Sequence, residues 1–168
     1  MLSAMQHTIA KAASPADVEA VRSLFVEYQT WLGDLVCSQR LAAEIISLPG
    51  PYATPSGVLL LARARGTDPV GCVGVCLHES DTAEMKRLYV RPPSSGIGLG
   101  RRLAERAVDE AATLGYSRLV LSTIPTAMAS AVRLYESLGF RETGPFRDHG
   151  HVHAEADMLY MELDLRSL

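Results

Sequence analysis

The stretch Ser95-Gly96-Ile97-Gly98-Leu99-Gly100-Arg101-Arg102 decides how this chain is read. It lies between a run of strand character at 83–90 and a segment whose apolar residues Leu99, Leu103, Ala107, Val108, Ala111 and Leu114 recur at helical spacing. Glycine has no Cβ, so three glycines at alternate positions let the backbone turn tightly and come close to a ligand. The first turn of the following helix adds N–H groups that have no intrahelical partner. Together they form an anion site, most naturally for a phosphate or pyrophosphate. Spacing excludes two common loops of this kind. A P-loop ends in Gly-Lys-Ser/Thr, whereas Gly100 is followed by two arginines. The dinucleotide fingerprint Gly-x-Gly-x-x-Gly fails from Gly96, whose sixth position is Arg101, and from Gly98, whose sixth is Leu103.

On the N-terminal side, Ser14-Pro15-Ala16-Asp17 reads as a helix start: a hydroxyl cap, proline at the first helical position and a carboxylate in the first turn. Val18, Val21, Phe25, Tyr28 and Leu32 then keep the helical period until Gly33. A short strand at 8–11 precedes this helix, and a second helical stretch at 38–48 stops before Pro49-Gly50-Pro51. Strands are predicted at 58–65 and 70–78, joined by Gly66-Thr67-Asp68-Pro69, and at 83–90. Beyond the glycine loop come a helix at 98–114 capped by Gly115, a strand at 118–122, a helix at 126–138 and strands at 140–143 and 158–164. No repeat or long linker interrupts this order, so one domain over 1–168 is expected. Its class is α/β, a mixed sheet covered by helices.

Composition narrows the functional classes. Of 168 residues, 48% are hydrophobic and 21% charged, the balance of a globular domain with a sizeable core. A net charge of −3 argues against a nucleic-acid partner, which calls for a basic stripe. No apolar run approaches the ~20 residues needed to span a bilayer, so no membrane partner is expected. Residues 1–10 lack the pattern of a signal peptide. The odd set Cys37, Cys72 and Cys76 fits small buried hydrophobes in a reducing cytoplasm. Cys72 and Cys76, four apart on a strand, share a face at roughly 13 Å, too far for a disulfide, and their spacing is no zinc pattern. His149, His151 and His153 alternate without further ligands and read as an exposed or substrate-lining loop, so no metal is expected.

At this point the chain resembles the GNAT superfamily of N-acetyltransferases, whose signature Gln/Arg-x-x-Gly-x-Gly/Ala cradles the pyrophosphate of coenzyme A. Here the signature reads Ser95-Gly96-Ile97-Gly98-Leu99-Gly100. The preceding Glu84-Met85-Lys86-Arg87-Leu88-Tyr89-Val90-Arg91-Pro92 is similar to the family's fourth strand. Downstream, Ala131-Val132-Arg133-Leu134-Tyr135-Glu136-Ser137-Leu138-Gly139-Phe140 is similar to its helix-to-strand ending. The three blocks occur in family order over about half the chain. Two residues depart from the pattern: Ser95 replaces the usual Gln or Arg, and Met128 stands where many members carry Asn.

The resemblance implies a largely antiparallel sheet of six to seven strands with about four helices, splayed between its fourth and fifth strands, with coenzyme A in the splay. It implies acetyl-CoA as cosubstrate, held by Ser95, Gly96, Ile97, Gly98, Leu99, Gly100 and Arg101, with the backbone of Leu88, Tyr89 and Val90 along the pantetheine arm. A bulge in that strand would turn one N–H toward the thioester oxygen. Glu84 is the candidate general base, through a water relay because roughly 20 Å of strand separate it from Val90; a solvated strand-end carboxylate is the plain alternative. Tyr135 is the candidate general acid, although it also falls on the apolar stripe Met128, Ala131, Val132, Tyr135, Leu138 and fits a core role. Arg101, rather than Arg102, is expected to face phosphate, and Arg87 to lie at the surface, with a contact to a substrate carboxylate as its alternative. Tyr28, Trp31 and Asp34 are candidates for the acceptor pocket or for core packing and a loop charge. No cysteine lies in the catalytic blocks, which favours direct transfer over an acyl-enzyme. The expected function is acetyl transfer to a primary amine of a small molecule, peptide or protein, with a non-catalytic acyl-CoA sensor as the rival. A homodimer is implied by the resemblance alone.

Overall fold

The computed structural model describes residues 6–33, 38–65, 67–147 and 158–168. Strand β1 (His7–Lys11) leads into helix α1 (Pro15–Leu32). The helix begins with a reciprocal cap: the Asp17 N–H donates to the Ser14 hydroxyl at 3.1 Å, and the Ser14 N–H donates to the Asp17 carboxylate at 3.2 Å. Helix α2 (Ser38–Ser47) follows, then three antiparallel strands, β2 (Val58–Ala64), β3 (Asp68–Glu79) and β4 (Thr82–Val90). Helix α3 (Leu99–Thr113), β5 (Arg118–Thr123), α4 (Ala129–Ser137), β6 (Arg141–Thr143) and β7 (Leu159–Asp164) complete the chain. These bounds match the sequence reading within three residues. Gly115 adopts φ +93° just past Leu114, so it ends α3 from one position further out than a cap.

The strands form one sheet in the order β1-β2-β3-β4-β5-β7-β6. Both faces are covered, which explains the near-continuous apolar runs Val58-Leu59-Leu60-Leu61 and Val73-Gly74-Val75-Cys76. Alternate side chains divide between two cores. Val58, Leu60, Val73 and Val75 join Leu99, Leu103 and Ala107 of α3. Leu59, Leu61, Cys72 and Cys76 join Val21, Leu24 and Phe25 of α1 and Leu41 of α2. Gly74 is required by close approach, because a Cβ there would lie 2.5 Å from the Tyr52 ring.

Two irregularities in β4 position the site. First, β4 and β5 pair in parallel only through Thr82, Ala83 and Glu84 opposite Arg118, Leu119 and Val120. Beyond Glu84 the strands part, as the resemblance implied. Second, Cys72 pairs with Tyr89 and Gly74 with Lys86, so Arg87 and Leu88 both stand opposite Val73. This is a β-bulge, with Arg87 in the left-handed region at φ +61°. It shifts the alternation by one residue. Ala83 and Met85 face the α3 core before the bulge, and Leu88 and Val90 do so after it.

Candidate active site

The glycine loop closes one end of the splay. Gly96 and Gly98 take φ +76° and +81°, values that only glycine adopts cheaply. A Cβ on either would meet nothing within 4 Å, so backbone conformation rather than space demands the glycines. Gly98 is the N-cap of α3 without a side-chain cap, and the first helical bond runs from the Arg102 N–H to the Gly98 carbonyl at 3.1 Å. The N–H groups of Gly98, Leu99, Gly100 and Arg101 therefore have no partner inside the helix. Val90 lies 3.8 Å from a Cβ built on Gly100, which places this helix start against the end of β4.

The side chains around the loop are engaged elsewhere. The Ser95 hydroxyl donates to the Pro92 carbonyl at 2.8 Å, closing the turn before the loop. Leu99 is buried and Ile97 is exposed, so Leu99 can offer a ligand only its backbone. Arg101 donates to Glu105 and to the Ser137 hydroxyl, both at 2.8 Å, and so ties α3 to the end of α4. Arg102 donates to the His7 carbonyl at 3.1 Å.

Leu88, Tyr89 and Val90 are half-buried on the stretch of β4 that has parted from β5. The Tyr89 hydroxyl donates to Glu27 at 3.4 Å, and Arg91 Nε donates to the same carboxylate at 2.9 Å, fixing the end of β4 to α1. Tyr135 is 7% exposed and packs against Phe140 at 5.8 Å between ring centres. Burial pushes its phenol up, and the Tyr28 phenol of α1 adds to the push. Tyr135 is therefore held in its protonated form.

Glu84 is not a solvated strand-end carboxylate: it is 2% exposed and forms an ion pair with Arg147. Arg147 follows β6, and its neighbour Phe146 packs edge-on against Tyr160 at 5.1 Å and His78 at 5.0 Å. Arg87 is not at the surface either. The bulge swings it to the same side as Lys86, and both reach Glu44 of α2. Lys86 Nζ donates at 2.6 Å, Arg87 Nε and Nη2 donate at 2.9 Å, and the Tyr52 hydroxyl donates at 2.8 Å. Burial alone would raise the Glu44 carboxyl; the hydrogen bonds and charges of Arg87 and Lys86 outweigh it and hold it down at about 2. Glu44, Tyr52 and Arg147 are residues that sequence reasoning missed. Glu44 meets β4 across 42 and 43 positions and Arg147 meets Glu84 across 63, distances at which no local pattern signals a partner.

Tyr28 stacks on Trp31 at 6.2 Å and meets Tyr89 at 5.7 Å, while Trp31 is 54% exposed. Asp34, Cys37, His149, His151 and His153 lie outside the described residues. Cys72 and Cys76 are free and buried, and burial pushes both thiols up. Met128 accepts a contact from the Thr123 hydroxyl at 3.4 Å. Among the described residues no three His, Cys, Asp or Glu side chains are grouped to hold a metal, and no helix is long and apolar enough to cross a membrane.

Comparison with known proteins places this geometry in context. Residues 18–140 match the family model described as the acetyltransferase (GNAT) family. An uncharacterized N-acetyltransferase of Schizosaccharomyces pombe is 35% identical, with 94% of each chain covered. An acetyltransferase of the GNAT family from Staphylococcus aureus superposes with a TM-score of 0.76 at 17% identity, covering 95% of this chain and 99% of that one. The protein yncA of Salmonella typhimurium, solved with its cofactor acetyl-CoA, has a TM-score of 0.67 at 25% identity, covering 95% of this chain and 94% of that one.

Proposed function

The chain belongs to the acetyltransferase (GNAT) family, and we infer that it transfers acetyl from acetyl-CoA directly to a primary amine of a small molecule or peptide. The observation that carries this reading is the conjunction in β4: pairing with β5 stops at Glu84, a bulge follows at Arg87 and Leu88, and the glycine-led start of α3 abuts the strand's end. Acetyl-CoA fits what the residues offer, because left-handed glycines and the start of α3 present N–H groups where a pyrophosphate needs them. Gly96, Ile97, Gly98, Leu99, Gly100 and Arg101 hold it through their backbone, with Ser95 shaping the loop. When bound, it supplies the activated acetyl group.

The remaining tasks fall to this chain's own side chains and backbone. The β4 edge at Leu88, Tyr89 and Val90 orients the cofactor arm by backbone hydrogen bonds. In this reading the bulge at Arg87 and Leu88 offers an N–H to the negative charge that develops on the acetyl oxygen. Glu84 accepts the proton of the incoming ammonium, directly or through water. Tyr135, kept protonated by burial, donates to the departing thiolate.

Isothermal titration with acetyl-CoA on the wild type and Gly98→Glu, followed by thiol release over an amine panel, tests the reading. Binding is expected in the wild type, with loss in the variant, whose carboxylate enters an anion site. Binding without turnover above background over a broad amine panel favours the sensor reading instead. With a productive acceptor, Glu84→Gln is expected to lower kcat by roughly 10²-fold or more.

A further inference from the structure

Five charged side chains converge on the face of β4 that looks toward α1 and α2: Glu84, Lys86 and Arg87 from the strand, Glu44 from α2 and Arg147 from the segment after β6. Their side chains are largely withdrawn from water, from 3% exposure for Glu84 to 22% for Arg147. Glu84 and Lys86 are alternate residues of β4 on the face of the Cys76 core, which sets the Glu84–Arg147 pair beside the Glu44, Lys86 and Arg87 group. Among the described residues the cluster holds three cations against two anions. Glu84 and Arg147 offset each other, whereas the single Glu44 faces both Lys86 and Arg87. A withdrawn charge without a counter-charge is costly, and a ligand that brings a negative group removes that cost.

Donor capacity agrees with the charge count. An ammonium has three N–H donors and a guanidinium five. Among the described residues, Lys86 directs one donor to Glu44 and Arg87 directs its Nε and Nη2 there. Arg87 Nη1 and the remaining Lys86 protons are left to a further acceptor. Glu84 and Lys86 sit two residues apart on one face, a span of roughly 7 Å along the strand. That is the scale of a compact molecule with an amine at one end and a carboxylate near the other.

We propose that the acceptor carries a carboxylate beside its amine, as an amino acid does, with Lys86 and Arg87 binding the carboxylate and Glu84 facing the amine. The proposal rests on the N-acetyltransferase reading above and adds the acceptor class to it. Glu44 is a positioning residue in this arrangement, since it aligns the two cations.

The test is thiol release by the wild-type protein with saturating acetyl-CoA and matched acceptors: alanine and phenylalanine, each against its carboxamide, its decarboxylated amine, and a tripeptide beginning with the same residue. The free amino acids are expected to exceed their amides and amines in kcat/KM by ~10-fold or more, the worth of one charge-assisted contact. Lys86→Gln and Arg87→Gln should narrow that preference through KM, and either variant suffices if the other does not fold. Amides or amines turned over as fast as the acids would overturn the proposal while leaving the acetyltransferase reading intact. Tripeptides matching the free acids would overturn it in favour of a peptide N-terminus. Absence of acetyl-CoA binding by titration would sink the acetyltransferase reading and this proposal with it.

Discussion

Glu44 gathers two cations and a phenol on one carboxylate that is only 12% exposed. Removing its charge leaves Lys86 and Arg87 facing each other in a withdrawn site, and breaking such a pair typically costs about 3–5 kcal/mol. Glu44→Gln keeps the shape and should therefore lower the urea midpoint strongly, whereas a midpoint within error of wild type would mean that water screens the cluster. Tyr135 poses a different question, because its ring fills the α3 core while its hydroxyl is the proposed acid. Tyr135→Phe preserves the ring. Stability should change little, and kcat should fall by roughly 10²-fold if the hydroxyl delivers a proton. Unchanged kcat would reduce Tyr135 to packing, the other role its place on the apolar stripe allowed.

Strand β4 is where local sequence and tertiary structure diverge most. Helix α1 is legible because Ser14, Pro15 and Asp17 act within one turn, and the glycine loop is legible because φ near +80° restricts it to glycine. The bulge has no such signature, since Arg87 is an unusual residue for a left-handed conformation. Strict alternation in a regular strand sets Arg87 on the face of Ala83 and Met85, away from Lys86, and only the bulge brings the two cations to one side. The partners of β4 were equally hidden, as Glu44 and Arg147 come from segments whose sequence says only that they are helix and loop. Gly74 shows the same limit from the opposite strand, where its need for a missing Cβ arises from Tyr52 above it. Gly74→Ala should destabilise by about 1–3 kcal/mol through overpacking. Tyr52→Leu should recover part of that loss in the double variant, measured as a coupling in denaturant titrations. Strict additivity of the two would mean that the ring swings aside freely.

Across the whole molecule, carboxylates tie each of the first three helices to the sheet. Asp17 joins α1 to Arg63 of β2, Glu27 joins α1 to Arg91 at the end of β4, Glu44 joins α2 to β4, and Glu110 joins α3 to Lys11 of β1. All four are held below their ordinary values. For Asp17 and Glu27 the arginine hydrogen bond is the largest cause, while for Glu44 and Glu110 the cationic partners overcome an opposing burial effect. A depressed folded value means that the unfolded chain binds protons first as pH falls. The resulting stability is fully present above the unfolded value and is lost on the way down through the folded one. For Glu44 that window runs from 4.5 to about 2 and corresponds to on the order of 3 kcal/mol. The urea midpoint should therefore stay level from pH 7 to about 5 and fall steeply below ~4.5. In Glu44→Gln the curve should start lower and fall less steeply through the same window, because the amide has no proton to bind. Parallel acid limbs in the two proteins would mean that Glu44 titrates in the folded state as it does in the unfolded chain, and that the clamp between α2 and β4 rests on packing around Tyr52 rather than on charge.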